Sequence, residues 1–250
     1  MLVSIALLAQ GCAGMPSPPG DPAAGTTIHH PRGIFTLQRG RPGLVIGAPH
    51  GTSDSHTDLI GLELARRTGW SLVVATGFSH LDADGRRFNV NRPTESVPGT
   101  AARLEAESEE ARAVHGAYRR HVAEAAQGAL ALYVEVHGNG RRESAGRIEV
   151  ATVGVSREEA RKLKTLLELV REAHLRGRDG VPRLAVLLEP LDPLHYTASA
   201  AKRAGVLGVA RRTLHIELPR VVRAMHREVY SALLADFLSE AAALLAPAVR

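Results

Sequence analysis

The sequence is short of cysteine, of aromatic residues and of long apolar runs, and each shortage disfavours a class of protein. One cysteine, Cys12, is present in 250 residues, so no disulfide can form within the chain. No Gly-x-Ser-x-Gly motif appears, and the single cysteine lies near the N-terminus, which disfavours a hydrolase that works without a metal. The net charge of +5 comes mainly from arginines that form no basic block and have no interleaved aromatic residues, so we expect no nucleic-acid binding.

The first 27 residues differ in composition from the rest of the chain. The apolar run Leu2 to Leu8 is far shorter than the roughly 20 residues that span a bilayer, and it leads to Ala9-Gln10-Gly11-Cys12, which resembles a bacterial lipoprotein signal. Residues 15–27 are rich in proline, glycine and small residues, as in a flexible linker. We therefore expect an exported protein attached to a membrane through a lipid on Cys12. The alternative is a secretory or frayed N-terminus.

Residues 28–250 are expected to form a single α/β domain, because strand-like and helix-like patterns alternate along them. Strands are predicted at residues 44–48, 71–75, 130–140, 148–153, 184–188 and 213–218. Helices are predicted at residues 57–67, 105–127, 198–204 and 221–245, and after a capping box at Ser156 to Glu159. Ser55 or Asp54 is the expected N-cap of the helix at 57, and residues 77–93 read as a long loop. These patterns predict a three-layer α/β/α sandwich with a mixed, mostly parallel central sheet.

Two of the predicted strands end in a histidine followed by a glycine, His50 and His137. In α/β proteins, ligands collect at the carboxyl ends of the sheet strands. A catalytic zinc usually takes three protein ligands and leaves one position for water, and His50, Asp54 and His137 can supply them. Asp58 competes with Asp54, although a carboxylate in the first turn of a helix is also favoured by the helix dipole. The alternative is that each histidine only caps a turn or contacts solvent.

Glu217 lies in the predicted strand TLHIEL, two residues after His215. Side chains two apart project to the same face of a strand, so His215 and Glu217 share a face near its carboxyl end. A carboxylate beside a metal site can take a proton from water and pass it to a leaving amine. Glu217 is therefore the candidate general base. The alternative is a structural ion pair with Arg220 or Arg223.

Asn91 and Arg92, in the polar segment RRFNVNRP, are the candidate substrate-binding residues. The planar guanidinium of arginine binds a carboxylate through two hydrogen bonds, and a neighbouring asparagine can add a third. A small acidic amide or peptide is the class of substrate that these groups favour.

Four short motifs occur in an order that resembles the N-formylglutamate amidohydrolase-like proteins, which belong to the zinc carboxypeptidase-like hydrolases. The motifs are Ala48 to Gly51, Asn89 to Arg92, Val134 to Gly138, and Ile216-Glu217. The resemblance implies that His50, a following acid and His137 bind zinc, that Asn91 and Arg92 hold a substrate carboxylate, and that Glu217 is the base. The chain departs from the carboxypeptidase pattern at Ser53, where those enzymes have a glutamate, and from the formylglutamate pattern at Asn89, where those enzymes have an aspartate.

Together these observations predict a zinc-dependent hydrolase that cleaves an amide or peptide bond near a free carboxylate. The substrate would be an acyl-amino acid, a peptide or a γ-glutamyl compound. The alternative is a surface-tethered protein of the same fold that binds a metal or ligand without turnover.

Overall fold

The computed structural model describes residues 25–100 and 104–246, which contain eleven strands. In chain order they are β1 (Thr26–His30), β2 (Gly33–Gln38), β3 (Arg41–Ala48), β4 (Trp70–Thr76), β5 (Phe88–Asn89), β6 (Thr94–Ser96), β7 (Glu105–Ala106), β8 (Leu132–Asn139), β9 (Arg147–Val153), β10 (Ala185–Leu188) and β11 (Arg212–Pro219). Eight of them form one sheet in the order β1-β2-β4-β3-β8-β11-β9-β10, and β5, β6 and β7 form a small antiparallel sheet.

The large sheet is mixed, and its centre is parallel. Strands β4, β3, β8 and β11 are parallel neighbours, whereas β2 runs antiparallel to β4 and β9 runs antiparallel to β11. Four of the seven pairings in the sheet are parallel, so the predicted mixed, mostly parallel sheet is confirmed. The carboxyl ends of β3, β8 and β11 consequently meet at one edge of the sheet.

Helices cover both faces of the sheet and make it the middle layer of three. They are α1 (Thr57–Thr68), α2 (Glu109–Ala126), α3 (Arg157–Leu175), α4 (Ser199–Ala204), α5 (Arg220–Met225) and α6 (Arg227–Leu245). Buried residues of α1, α3 and α6 form one apolar cluster with the sheet, and buried residues of α2 and α4 form another cluster on the opposite face. The predicted three-layer α/β/α sandwich is therefore confirmed.

The helix boundaries correct several predictions. The capping box that opens α3 is confirmed, because Ser156 and Glu159 each bind the other's backbone amide. Helix α2 begins at Glu109 rather than residue 105, because the Ser108 side chain caps it and Glu105–Ala106 pairs with β6 instead. The predicted helix at 221–245 is divided into α5 and α6 at His226.

The predicted N-cap of α1 is wrong. His56 occupies the cap with a left-handed backbone (φ 72°) and makes no side-chain cap hydrogen bond. Asp54 does not cap the helix because its carboxylate accepts a hydrogen bond from the Gly138 amide, across the sheet edge. The hairpin of β1 and β2 was not predicted, and neither was strand β5 within the expected loop at 77–93.

The N-terminal predictions fall mostly outside this structure. The signal-like segment, Cys12 and the linker up to residue 24 lie outside the described residues, and β1 begins at Thr26, two residues before the expected domain start. Within residues 25–100 and 104–246, none of the helices has the length and apolar character to cross a membrane.

Candidate metal centre

The candidate site contains two pairs of polar residues that lie opposite each other on the neighbouring strands β8 and β11. In the parallel pairing of β8 with β11, His137 lies opposite Glu217 and Glu135 lies opposite His215. Residues in register on neighbouring strands project to the same face, which here is the face covered by α2. All four side chains are buried. Because they are near the carboxyl ends of their strands, they meet the loop that follows β3.

His50 enters the site from that loop with its tautomer set by hydrogen bonds. Its Nδ1 lies 2.9 Å from the Ser79 hydroxyl, and that hydroxyl donates its only proton to the Phe88 carbonyl at 3.3 Å. With the Ser79 proton on the Phe88 carbonyl, Nδ1 of His50 is the donor, and this tautomer leaves Nε2 with a free lone pair. Desolvation lowers the pKa of His50 to about 4 and prevails over the attraction of Asp54, so the ring is neutral at physiological pH.

His137 lies between two carboxylates. Its Nε2 is 3.0 Å from Glu135 Oε2, and its Nδ1 is 3.5 Å from Asp54 Oδ2. Burial by itself would lower the pKa of His137, but the bonds to Asp54 and Glu135 prevail and raise it to about 10. Burial would raise the pKa of Asp54, and the interactions with His137, His50 and the Gly138 amide instead bring it well below its usual range. The two carboxylates thus favour a positive charge on His137. A metal ion bound at Nδ1 can supply that charge in place of the proton.

The six site residues predicted from the sequence all line one cavity of about 640 Å³. They are His50, Asp54, Asn91, Arg92, His137 and Glu217. The imidazole centroids of His50 and His137 lie 5.0 Å apart. Asp58, the rival candidate to Asp54, lies in the first turn of α1 and is not among the residues that line the cavity.

A second set of metal-ligating groups shares His137. Among the described residues, one group of three has all its ligand atoms within 4.8 Å of one another, and it consists of Glu135, His137 and His215. Glu135 has no exposed surface and does not line the cavity. Our reading of the sequence missed Glu135, although the strand alternation in LYVEVHG places it on the same face as His137.

Glu217 has one fixed and one unpaired oxygen. Its Oε1 lies 3.1 Å from Nε2 of His215, so the two residues share a face as the strand period predicts. Its Oε2 is buried and has no hydrogen-bond partner among the described residues. The alternative partner Arg223 instead donates to backbone carbonyls, including that of Leu218 at 3.0 Å. Glu217 therefore presents a free carboxylate oxygen in a cavity-lining position.

The two candidate substrate-binding residues are already engaged. Arg92 donates through Nε and Nη2 to the carboxylate of Glu105, at 3.0 and 2.7 Å, and Glu105 also accepts from the Thr94 hydroxyl at 2.9 Å. Asn91 donates to Glu135 at 3.3 Å, while its Oδ1 lacks a partner within the described part of the chain. Both residues line the cavity, and their roles in substrate binding remain predictions.

No protein-family model matches the chain, and no curated protein matches its sequence. Comparison with solved structures finds matches at low sequence identity. A bacteriophage poly-gamma-glutamate hydrolase is 12% identical over 82% of this chain and 87% of its own, with a TM-score of 0.46. A gene product of Agrobacterium tumefaciens is 13% identical over 83% and 94%, with a TM-score of 0.47. A metallo-carboxypeptidase from Burkholderia cenocepacia is 14% identical over 89% and 64%, with a TM-score of 0.41.

At these scores the likeness says nothing about the chemistry of the site. The resemblance to the N-formylglutamate amidohydrolase-like proteins also remains a prediction.

Proposed function

We propose that the protein is a metal-dependent hydrolase that cleaves an amide bond near a free carboxylate. The observation that carries the proposal is the meeting of His50, Asp54, His137 and Glu217 around one cavity at the carboxyl ends of three parallel strands. Two imidazoles and a carboxylate are a common ligand set for catalytic zinc. The unpaired oxygen of Glu217 adds a base beside them.

The types of donor at the cavity, two imidazoles and a carboxylate, fit a zinc ion. Among the described residues, the only group of three whose ligand atoms already lie within 4.8 Å of one another is Glu135, His137 and His215, so His50, Asp54 and His137 would move closer together when the ion binds. Nε2 of His50, Nδ1 of His137 and the carboxylate of Asp54 would hold it, because the other nitrogen of each ring is occupied by Ser79 and Glu135, respectively. Bound there, zinc would supply a Lewis acid that polarises a carbonyl and lowers the pKa of water. The set of Glu135, His137 and His215 fits a catalytic ion less well, because Glu135 is shut off from the cavity.

Glu217 would perform the proton transfers. Its Oε2 can accept a proton from the attacking water, and the same oxygen can return that proton to the amine that leaves. His215 holds the other oxygen at 3.1 Å and so limits rotation of the carboxylate. The burial of Glu217 excludes competing solvent from this oxygen.

Arg92 would orient the substrate by its acid group. The pairing with Glu105 fixes the guanidinium in the cavity wall and offsets much of its charge. The cavity therefore favours a small acidic amide, peptide or γ-glutamyl substrate over a highly anionic one. Zinc, the substrate class and the role of Arg92 all belong to the proposal.

Metal content provides the direct test. Wild-type protein supplied with zinc is expected to hold about one equivalent by elemental analysis, and His50→Ala, Asp54→Asn and His137→Ala should each lose it. His174→Ala is the matched control, because His174 pairs with Asp236 at 2.7 Å and does not line the cavity. A well-folded wild type that binds no zinc would refute the proposal.

Turnover is tested separately with a panel of amides that carry a free carboxylate. Hydrolysis by the wild type and its loss in Glu217→Gln, with zinc retained, would support the hydrolase. Zinc and ligand binding without hydrolysis of any amide in the panel would support the alternative of a binding protein.

The proposal includes export and attachment to a membrane through a lipid on Cys12. Its support is the apolar run at residues 2–8 and the following Ala-Gln-Gly-Cys motif. Labelling of cells with radioactive palmitate should mark the wild type but not Cys12→Ser. An unlabelled wild type would refute this part alone.

A further inference from the structure

Glu135 is a buried carboxylate with an unusually full set of partners. It has no exposed surface, and an ionised carboxylate in that position is costly unless hydrogen bonds replace its water. Its Oε1 accepts from the Tyr133 hydroxyl at 3.0 Å. Its Oε2 lies 3.0 Å from His137 Nε2, 3.3 Å from Asn91 Nδ2 and 3.5 Å from His215 Nδ1. The group therefore contacts both histidines that flank the proposed site.

The Tyr133 side of Glu135 continues as a directed chain of hydroxyl groups. The hydroxyls of Tyr118 and Tyr133 are 3.0 Å apart, and both side chains are fully buried. Tyr133 uses its single proton for Glu135, so Tyr118 must donate to Tyr133. Burial raises the pKa of both tyrosines well above its ordinary value, which keeps them protonated as donors. The chain thus delivers hydrogen-bond donors from α2 to the Glu135 carboxylate.

Gly47 provides the space for this chain. It pairs with Glu135 in the register of β3 and β8. A Cβ at position 47 would overlap the Tyr133 hydroxyl and come within 2.6 Å of the Tyr118 hydroxyl. Because glycine has no side chain, position 47 leaves room for the two tyrosine hydroxyls that support Glu135.

We infer that Glu135 is a positioning residue that serves both halves of the site at once. Through a hydrogen bond it orients His137, a metal ligand. Its negative charge, 3.5 Å from Nδ1 of His215 and without a hydrogen bond to it, stabilises the histidine that holds Glu217. Tyr133, supported by Tyr118, and Asn91 hold Glu135 in place. The inference rests on the proposed function, since it assigns Glu135 to the shell behind the ligands rather than to the ligands themselves.

Zinc affinity tests the first half. Removal of a carboxylate behind a histidine ligand typically costs 10–100-fold in metal affinity, so Glu135→Gln should raise the Kd for zinc by about that factor in a chelator competition. Tyr133→Phe should raise the Kd less, and Tyr118→Phe less again. Glu149→Gln is the matched control: Glu149 is equally buried on β9, but its contacts are the Ser144 hydroxyl and two backbone amides. The Kd of Glu149→Gln for zinc should equal that of the wild type.

Kinetics at saturating zinc tests the second half. Glu135→Gln should still show a lower kcat with little change in KM, because the histidine behind Glu217 has lost the negative charge beside it. A merely structural role would lower thermal stability with and without zinc and leave the Kd and the kcat of the folded protein unchanged.

The outcomes separate this inference from the proposed function. A wild type that binds no zinc overturns the proposed function and this inference together. A zinc-binding wild type whose Kd is unchanged in folded Glu135→Gln overturns the inference alone. If Glu135→Gln does not fold, an unchanged Kd in Tyr133→Phe overturns it. Complete loss of zinc from Glu135→Gln, with zinc retained in Asp54→Asn, overturns it by making Glu135 a ligand.

Discussion

The two faces of the central sheet differ sharply although they share the same strands. In β8, Val134 and Val136 face α1, α3 and α6 in an apolar cluster, whereas Tyr133, Glu135 and His137 face the α2 side and form part of the site. Alternation along one strand thus sends consecutive residues to two different environments. Both faces of the sheet carry an apolar cluster, and the α2 face also carries the buried acids of β8, β9 and β11.

The difference shows how the protein tolerates charge in its interior. On the α2 side, each of the buried acids Glu135, Glu149 and Glu217 has at least one oxygen held by a donor. Buried ionisable groups are stable only when such partners replace water. The unpaired oxygen of Glu217 is the exception, and it belongs to a residue that lines the cavity. Stability and chemistry are therefore expected to respond to different substitutions.

The largest expected effect is on the α2 side. Glu217→Gln should lower kcat by about 10²- to 10⁴-fold, because the amide keeps the shape of the side chain and can still accept from His215 but cannot take a proton. Unfolding by urea should be nearly unchanged. Steady-state kinetics measure the change in kcat, and a urea titration measures the free energy of unfolding. A kcat close to that of the wild type would show that Glu217 is not the general base.

A substitution on the face covered by α1, α3 and α6 is expected to have the opposite effect, a loss of stability without a loss of activity. Leu167 of α3 is fully buried in the cluster of α1, α3 and α6. Leu167→Ala should lower the free energy of unfolding by about 2–5 kcal/mol through lost burial and an added cavity. The kcat/KM of the folded fraction should stay at the wild-type value. A large loss of kcat/KM in the folded variant would show that the two faces are not independent.

The same substitution, glycine to alanine, can be made on each face of the central sheet, and the two effects on stability can then be compared directly. Gly47→Ala would force a methyl group into the Tyr133 hydroxyl and should cost about 1–3 kcal/mol of unfolding free energy. Gly61→Ala on α1 is the control, because its methyl group meets the flexible Leu72 side chain at 3.2 Å and the Ala48 Cβ at an ordinary contact distance of 3.5 Å. Helix propensity also favours alanine there by about 1 kcal/mol. Thermal unfolding measures both. An equal loss in the two variants would contradict the tight packing around Tyr133.

The smallest expected effect concerns the cavity wall. Arg92→Lys loses the two-bond geometry with Glu105 and should raise KM for carboxylate substrates roughly tenfold, or about 1.4 kcal/mol, with little change in kcat. Arg39→Lys is the control, because Arg39 pairs with Glu124 at an exposed position. An unchanged KM in Arg92→Lys would exclude Arg92 from substrate binding.

Local patterns in the sequence predicted six of the eleven described strands and the common face of His215 and Glu217, because alternation and strand ends are properties of neighbouring residues. They also placed His50 and His137 beside one cavity, since the ends of parallel strands meet. The role of Glu105 could not be predicted in this way, because Arg92 reaches it only through the small sheet of β6 and β7. Asp54 read equally well as a helix cap, and only its contact with Gly138, 84 positions away, distinguishes the two.

Arg223 carries a consequence for the biosynthesis of the protein. Its buried guanidinium packs against Gly138 and donates to the carbonyls of Leu218, Asn139 and Ser55, the last of which is 168 positions earlier in the chain. It thereby joins the loop of Asp54 to the ends of β8 and β11. A ribosome makes residue 55 long before residue 223, so this connection forms only after α5 has been translated. A chain truncated before α5 would carry His50, Asp54 and His137 but lack the contact that holds their loops together.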